Sequence, residues 1–140
     1  MYRKNINALV NAWNTGNFEE LDQYMTEETL RHAPTSIYPT VTGLEGVKAH
    51  ISDFRTAYPD LLITVDEELY LDGRSVIRWT FTGTNTGPGE YGPTSKYVHV
   101  SGASIAHYED DKIKEEYVYF DTADFYTQLG LIEMSKAATG

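Results

Sequence analysis

After Pro59 the apolar residues of this chain change their spacing, and that change limits the folds open to it. Before Pro59 they recur at helical intervals. Residues 2–13 place Ile6, Leu9, Val10 and Trp13 at i, i+3, i+4 and i+7, which predicts an amphipathic helix. "NTGN" (14–17) breaks it at Gly16, and "FEELDQYM" (18–25) reads as a short second helix. Residues 43–60 carry Leu44, Val47, Ile51, Phe54 and Tyr58 at helical spacing, with Pro59 at the C-terminal end. Between them "TLRHAPTSIYPTVTG" (29–43) holds two prolines and reads as irregular or as a short extended edge.

Beyond Pro59 four β-rich runs follow, at 61–71, 74–85, 96–110 and 113–121. The first two flank Asp72-Gly73, a strong hairpin signal, and "DDK" (110–112) turns the last two. "TGPGEYGPTS" (86–95) is a loop, and residues 122–135 read as a closing helix or a frayed tail. Helices first and antiparallel strands after predict one α+β domain over residues 1–140. Its expected form is a cone-shaped barrel, a curved antiparallel sheet wrapped around the N-terminal helices. The cavity between the two layers is the default place for a ligand.

Charge narrows the partners. The 21 acidic and 11 basic residues give a net charge of −10, which repels nucleic-acid phosphates and anionic lipid heads. The absence of cysteine removes disulfides and thiolate chemistry, and no apolar run reaches membrane-spanning length. A soluble cytoplasmic protein is expected. The four histidines show no metal-ligand spacing, so no metal is expected. "TGPGEYG" (86–92) lacks the Lys-Ser/Thr of a phosphate loop and reads as a mobile loop at the cavity mouth. His50 is expected at the surface or rim, and His99 as a half-buried strand residue. Glu67, Glu68 and "EDD" (109–111) read as solvated charge.

One acid stands apart. Strict alternation along the last strand puts Ile113, Glu115, Tyr117, Tyr119 and Asp121 on one face. The same rule puts Tyr97, His99, Ser101, Ala103, Ile105 and His107 on one face of the preceding strand. Which rows look inward depends on register. A carboxylate among rings becomes a stronger base and a usable acid near neutral pH. An aspartate at a strand-to-helix junction is equally an N-cap for the helix that follows. Both roles are open for Asp121. Val118 and Phe120, on the other face, need cover, which predicts a homodimer through the sheet.

The ordered set "AWNTGNFEELDQYMTEE" (12–28), "HAP" (32–34), "GLEGVKAHI…FRTAYPD" (43–60), "DGRSVIRWTFTGTNTG" (72–87), "GPTSKYVHVSG" (92–102), "EDDKIKEEYVYFD" (109–121) and "QLG" (128–130) resembles the SnoaL-like polyketide cyclase (ester cyclase) family of the nuclear-transport-factor-like superfamily. The resemblance implies the cone fold and a cofactor-independent enzyme. Its substrate would be hydrophobic and carbonyl-bearing, and the lead reaction an intramolecular aldol condensation. It matches the family's general acid/base aspartate to Asp121 and places His32 and His107 at the pocket. Trp13, Tyr38, Phe54, Trp79, Tyr117 and Tyr119 are the expected pocket wall. Departures from the family pattern are Asn85 and Tyr117, where histidine and tryptophan are frequent, "GPTSK" (92–96) for "PPTGR", and His107 for a basic residue such as arginine. Two alternatives remain. One is an isomerase or hydrolase in the same cavity; epoxide hydrolysis needs an Asp–Arg–Asp set, of which Arg78 and Asp121 would supply two members. The other is a non-catalytic ligand-binding or dimerisation domain.

Overall fold

The computed structural model describes residues 2–36 and 40–133. Helix α1 (Arg3–Thr15) buries Ile6, Leu9 and Trp13 of the predicted stripe, with Ala12 beside them, and leaves Val10 half-buried. It stops at Gly16, whose φ of 77° is left-handed and lets its N–H bond the Ala12 carbonyl at 2.9 Å. The expected second helix is a single 3-10 turn, Leu21–Gln23, anchored by the fully buried Leu21. So short a segment cannot hold an α-helix by its own propensity. Helix α2 (Gly43–Ala57) turns Val47 and Ile51 into the core and ends just before Pro59.

Six strands form one sheet: β1 (Leu30–His32), β2 (Val41–Thr42), β3 (Leu62–Leu71), β4 (Arg74–Thr84), β5 (Tyr97–Glu109) and β6 (Lys112–Phe120). Their order is β2-β1-β6-β5-β4-β3. The long strands pair antiparallel, as their tight turns require. Residues 29–43, expected to be irregular or a short edge, supply β1 and β2. β1 runs parallel to β6, with Arg31 opposite Glu116 and His32 opposite Tyr117. The sheet is therefore mixed rather than wholly antiparallel. No hairpin joins β1 to β6, so no turn dictates their relative direction.

The sheet curves without closing, and its concave face holds the core. Leu9 and Trp13 from α1 and Val47 and Ile51 from α2 pack there with Phe81 and Val100 from the sheet. Helix α3 (Thr122–Gln128) closes one end with Phe125. Two register shifts bend the strands, one at Val65/Glu67 in β3 and one where His107 and Tyr108 of β5 meet β6. The second decides what the cavity contains.

Candidate functional site

Register between β5 and β6 pairs His107 with Glu115, then Tyr108 with Ile113, leaving Lys114 as an extra residue on β6. A single extra residue reverses the phase of a strand with period two. Ile113 is buried, and so is Glu116, three residues on rather than two or four. From there Val118 and Phe120 continue along the concave face with Glu116. The row Glu115, Tyr117, Tyr119 is thereby moved to the convex side.

The concave face and α1 and α2 enclose a cavity of about 110 Å³. Its walls are mostly aliphatic and aromatic, with Trp13 from α1, Phe54 from α2 and Trp79 from β4 among them. Trp79 keeps its place because Gly102 lies opposite it in β5. A Cβ on Gly102 would stand 2.4 Å from the indole Cζ2. The indole N–H donates to Ser104 Oγ at 2.9 Å, so the ring is fixed by a polar partner as well as by packing.

Arg31 and Glu116 are the charged groups among the lining residues. The parallel β1–β6 register puts them side by side, and an Arg31 Nη1–H donates to Glu116 Oε1. Their side chains are 14 % and 4 % exposed, so this pair is shielded from water. The Arg31 guanidinium also lies over the Trp13 ring, 5.5 Å from its centroid. His50 of α2 reaches the same cavity, packed edge-on to Trp13 and Phe54 with centroids at 5.9 and 5.1 Å. Burial, and then the Arg31 charge, push the His50 pKa down to about 3. At neutral pH its imidazole is uncharged, and one ring nitrogen donates while the other accepts.

The residues singled out from sequence fall into three groups. Trp13, Phe54 and Trp79 line the cavity. Tyr38 lies outside the described residues. His32, His107, Tyr117 and Tyr119 lie on the convex face, so Tyr117 and Tyr119 are no part of the cavity wall; the β6 bulge is the reason. There His32 Nε2 sits 2.8 Å from Glu115 Oε2, and the Tyr117 hydroxyl donates to the same oxygen at 3.0 Å. The His32 ring stacks on Tyr117 at 4.7 Å, and His107 lies 5.9 Å from Tyr117. The hydrogen bond from His32, then that from Tyr117, hold the Glu115 carboxyl below its ordinary pKa. Tyr119 is 41 % exposed.

Asp121 is exposed and caps α3, its Oδ1 accepting the Asp124 N–H at 2.9 Å. Of the two roles open for its carboxylate, the helix cap is the one its geometry fills. Val118 and Phe120 need no second chain, because the fold itself covers them. Arg78 turns to Glu67 and Asp66 at 3.1 and 3.8 Å and is not assembled with Asp121. Sequence reading missed Arg31, Ser104 and Glu116, and placed His50 at the rim. A signal for Glu116 was present: it shares the period of Val118 and Phe120, the apolar row of the strand. Among the described residues no three acidic or histidine side chains form a metal site, and no helix is long and apolar enough to cross a membrane.

A curved, unclosed sheet holding helices in its concavity, with a small apolar cavity between them, defines the α+β cone proteins. Residues 4–129 match the model of the SnoaL-like polyketide cyclase family, and the chain belongs to that family. Solved structures agree on the fold. A Bacillus cereus protein named "putative polyketide cyclase" is 27 % identical, with a TM-score of 0.74 over 91 % of this chain and 79 % of that one. TsrD from Streptomyces laurentii is 24 % identical, with a TM-score of 0.80 over 93 % and 95 % of the two chains. IdmH from Streptomyces antibioticus is 21 % identical, with a TM-score of 0.74 over 93 % and 99 %. No curated protein matches the chain in sequence.

Proposed function

We propose that this chain is a cofactor-independent acid/base enzyme acting on a hydrophobic, carbonyl-bearing small molecule, with intramolecular aldol cyclisation as its reaction. Family membership supports the reaction class. The observation that carries the site is the Arg31–Glu116 pair, which brings a carboxylate and a cation to the wall of an otherwise apolar cavity. Glu116 takes a proton from the carbon beside a carbonyl. Arg31, with donors beyond the one it gives Glu116, and neutral His50 hold the developing enolate oxygen. The enolate carbon attacks a second carbonyl of the same molecule, and the new alkoxide recovers the proton from Glu116. The apolar walls hold the two carbons together and keep water out. In this reading Glu116 takes the role that the resemblance matches to Asp121.

Size limits the substrate. A dry engineered cavity of roughly 150 Å³ accommodates benzene, so about 110 Å³ takes one ring of a ligand in this conformation. The test is deuterium exchange at the carbon beside the carbonyl of a small aryl ketone, followed by NMR, for wild type, Glu116→Gln and Asp121→Asn. Loss of a general base costs about 100-fold or more. Glu116→Gln is expected to lose that much while remaining folded by circular dichroism, and Asp121→Asn to stay within about threefold of wild type. The opposite pattern returns the role to Asp121. Saturable ketone binding without exchange by wild type makes the domain a binding module.

Homodimerisation through the sheet belongs to the same proposal, on a different ground from the one expected. On the convex face Leu69, Val76, Ile105, Tyr117 and His32 lie in register across five strands. Nearby Leu71 and Tyr119 are 60 % and 41 % exposed. An apolar row this long fits the matching face of a second copy. Sedimentation as a monomer at about 50 μM, within the in-vitro range in which exposed apolar surfaces associate, excludes it.

A further inference from the structure

A second groove, of about 440 Å³, lies between the C-terminal half of α2 and the loop 85–91. It shares His50 and Phe54 with the inner cavity. Its walls are held in place. The Asn85 side chain donates to the Ala57 carbonyl at 3.1 Å and accepts from the Thr94 N–H at 3.0 Å. The Gly87 N–H bonds the Ala57 carbonyl at 3.1 Å. Tyr91 packs edge-on to Tyr126 at 5.5 Å, and their hydroxyls lie 3.3 Å apart.

Two kinds of group line this groove. Phe54 and Tyr91 supply aromatic surface, with Tyr58 buried behind them, and Asp53 and Glu90 supply carboxylates. Neither carboxylate forms an ion pair among the described residues, and no lysine or arginine lines the groove. We propose that the groove is a subsite for a substituted ammonium group, the cationic end of a ligand whose apolar part enters the inner cavity. Rings attract a poorly hydrated alkylammonium through their π faces, and the carboxylates supply the opposite charge. His50, uncharged at neutral pH, adds no repulsion on the shared wall. The net charge of −10 draws cations towards the protein from a distance. A bare metal ion fits less well, because rings offer it no ligand and only two carboxylates are present. Placing the rest of the ligand in the inner cavity rests on the function proposed above; binding of the cation does not.

Choline and its neutral carbon isostere dimethylbutanol separate charge from shape. Titrated into the whole protein and followed by NMR, choline is expected to bind saturably and about tenfold more tightly than the isostere. Asp53→Asn and Glu90→Gln, both exposed positions, are each expected to weaken choline about threefold or more. Glu116→Gln is expected to leave choline binding within about twofold of wild type, which keeps this test separate from the exchange assay. Equal affinity for the isostere overturns the proposal. So does a double Asp53→Asn/Glu90→Gln variant that binds choline as wild type does, or the absence of saturation by about 50 mM, beyond any specific weak site.

Discussion

Removing one member of the Arg31–Glu116 pair tests how the cavity is held together. Arg31→Met keeps the length and apolar volume of the side chain and deletes the charge. It leaves the Glu116 carboxylate, 4 % exposed, without its cation and facing apolar walls. Breaking a shielded ion pair from one side costs about 3–5 kcal/mol, and loss of the guanidinium over Trp13 adds about 0.5–1 kcal/mol. For a domain of this size about 4 °C of Tm corresponds to each kcal/mol, so a fall of about 14–24 °C is expected. Replacing both charges, in Arg31→Met/Glu116→Leu, removes the orphan and is expected to return stability to within about 1 kcal/mol of wild type. Urea unfolding of the wild type, both single variants and the double variant completes the cycle. The expected coupling, the two single costs less that of the double variant, is about 5 kcal/mol or more. Single variants that each cost under about 1 kcal/mol and simply add refute the view that the pair is shielded.

Three further outcomes follow from the same geometry. Asp121→Ala removes the cap that holds the Asp124 N–H and is expected to lower stability by about 0.5–2 kcal/mol, read by thermal unfolding; no change removes the capping role. Gly102→Ala drives a methyl into the Trp79 indole and is expected to cost about 1–3 kcal/mol and to shift the tryptophan emission, whereas an unchanged spectrum contradicts the close approach. His50 takes a proton near pH 6.5 when unfolded but only near about 3 when folded, so the unfolded chain binds more protons between those values. Stability therefore falls as pH drops from about 6.5 towards 3. A His50→Phe variant is expected to show a flatter profile, most clearly above pH 4.5, where Glu115 does not yet contribute.

Much of the fold is written locally. The stripe Ile6, Leu9, Trp13 and the pair Val47, Ile51 specify α1 and α2 because a helix buries residues three and four apart whatever it packs against. Asp72-Gly73 between two β-rich runs specifies a hairpin for the same reason, since turn chemistry acts over four residues. Trp13, Phe54 and Trp79 reach the cavity wall because large apolar side chains on such elements turn inward.

Where one residue of register matters, local rules stop. Alternation along residues 113–121 offers two rows, both with large side chains, and the bulge at Lys114 puts the one with Glu116, Val118 and Phe120 on the concave face. Nothing near residue 31 announces its partner either. Arg31 meets Glu116, 85 positions away, only because β1 enters the sheet parallel to β6. Asp121, with its flanking rings and its place at the end of β6, carries every local mark of a buried acid, yet its oxygen is occupied at the start of α3. By itself the sequence determined the elements, their order and the α+β class. The tertiary structure decided which carboxylate faces the cavity. Side-chain facing depends on strand pairing across the whole chain, and hydrophobic periodicity is blind to a slip of one.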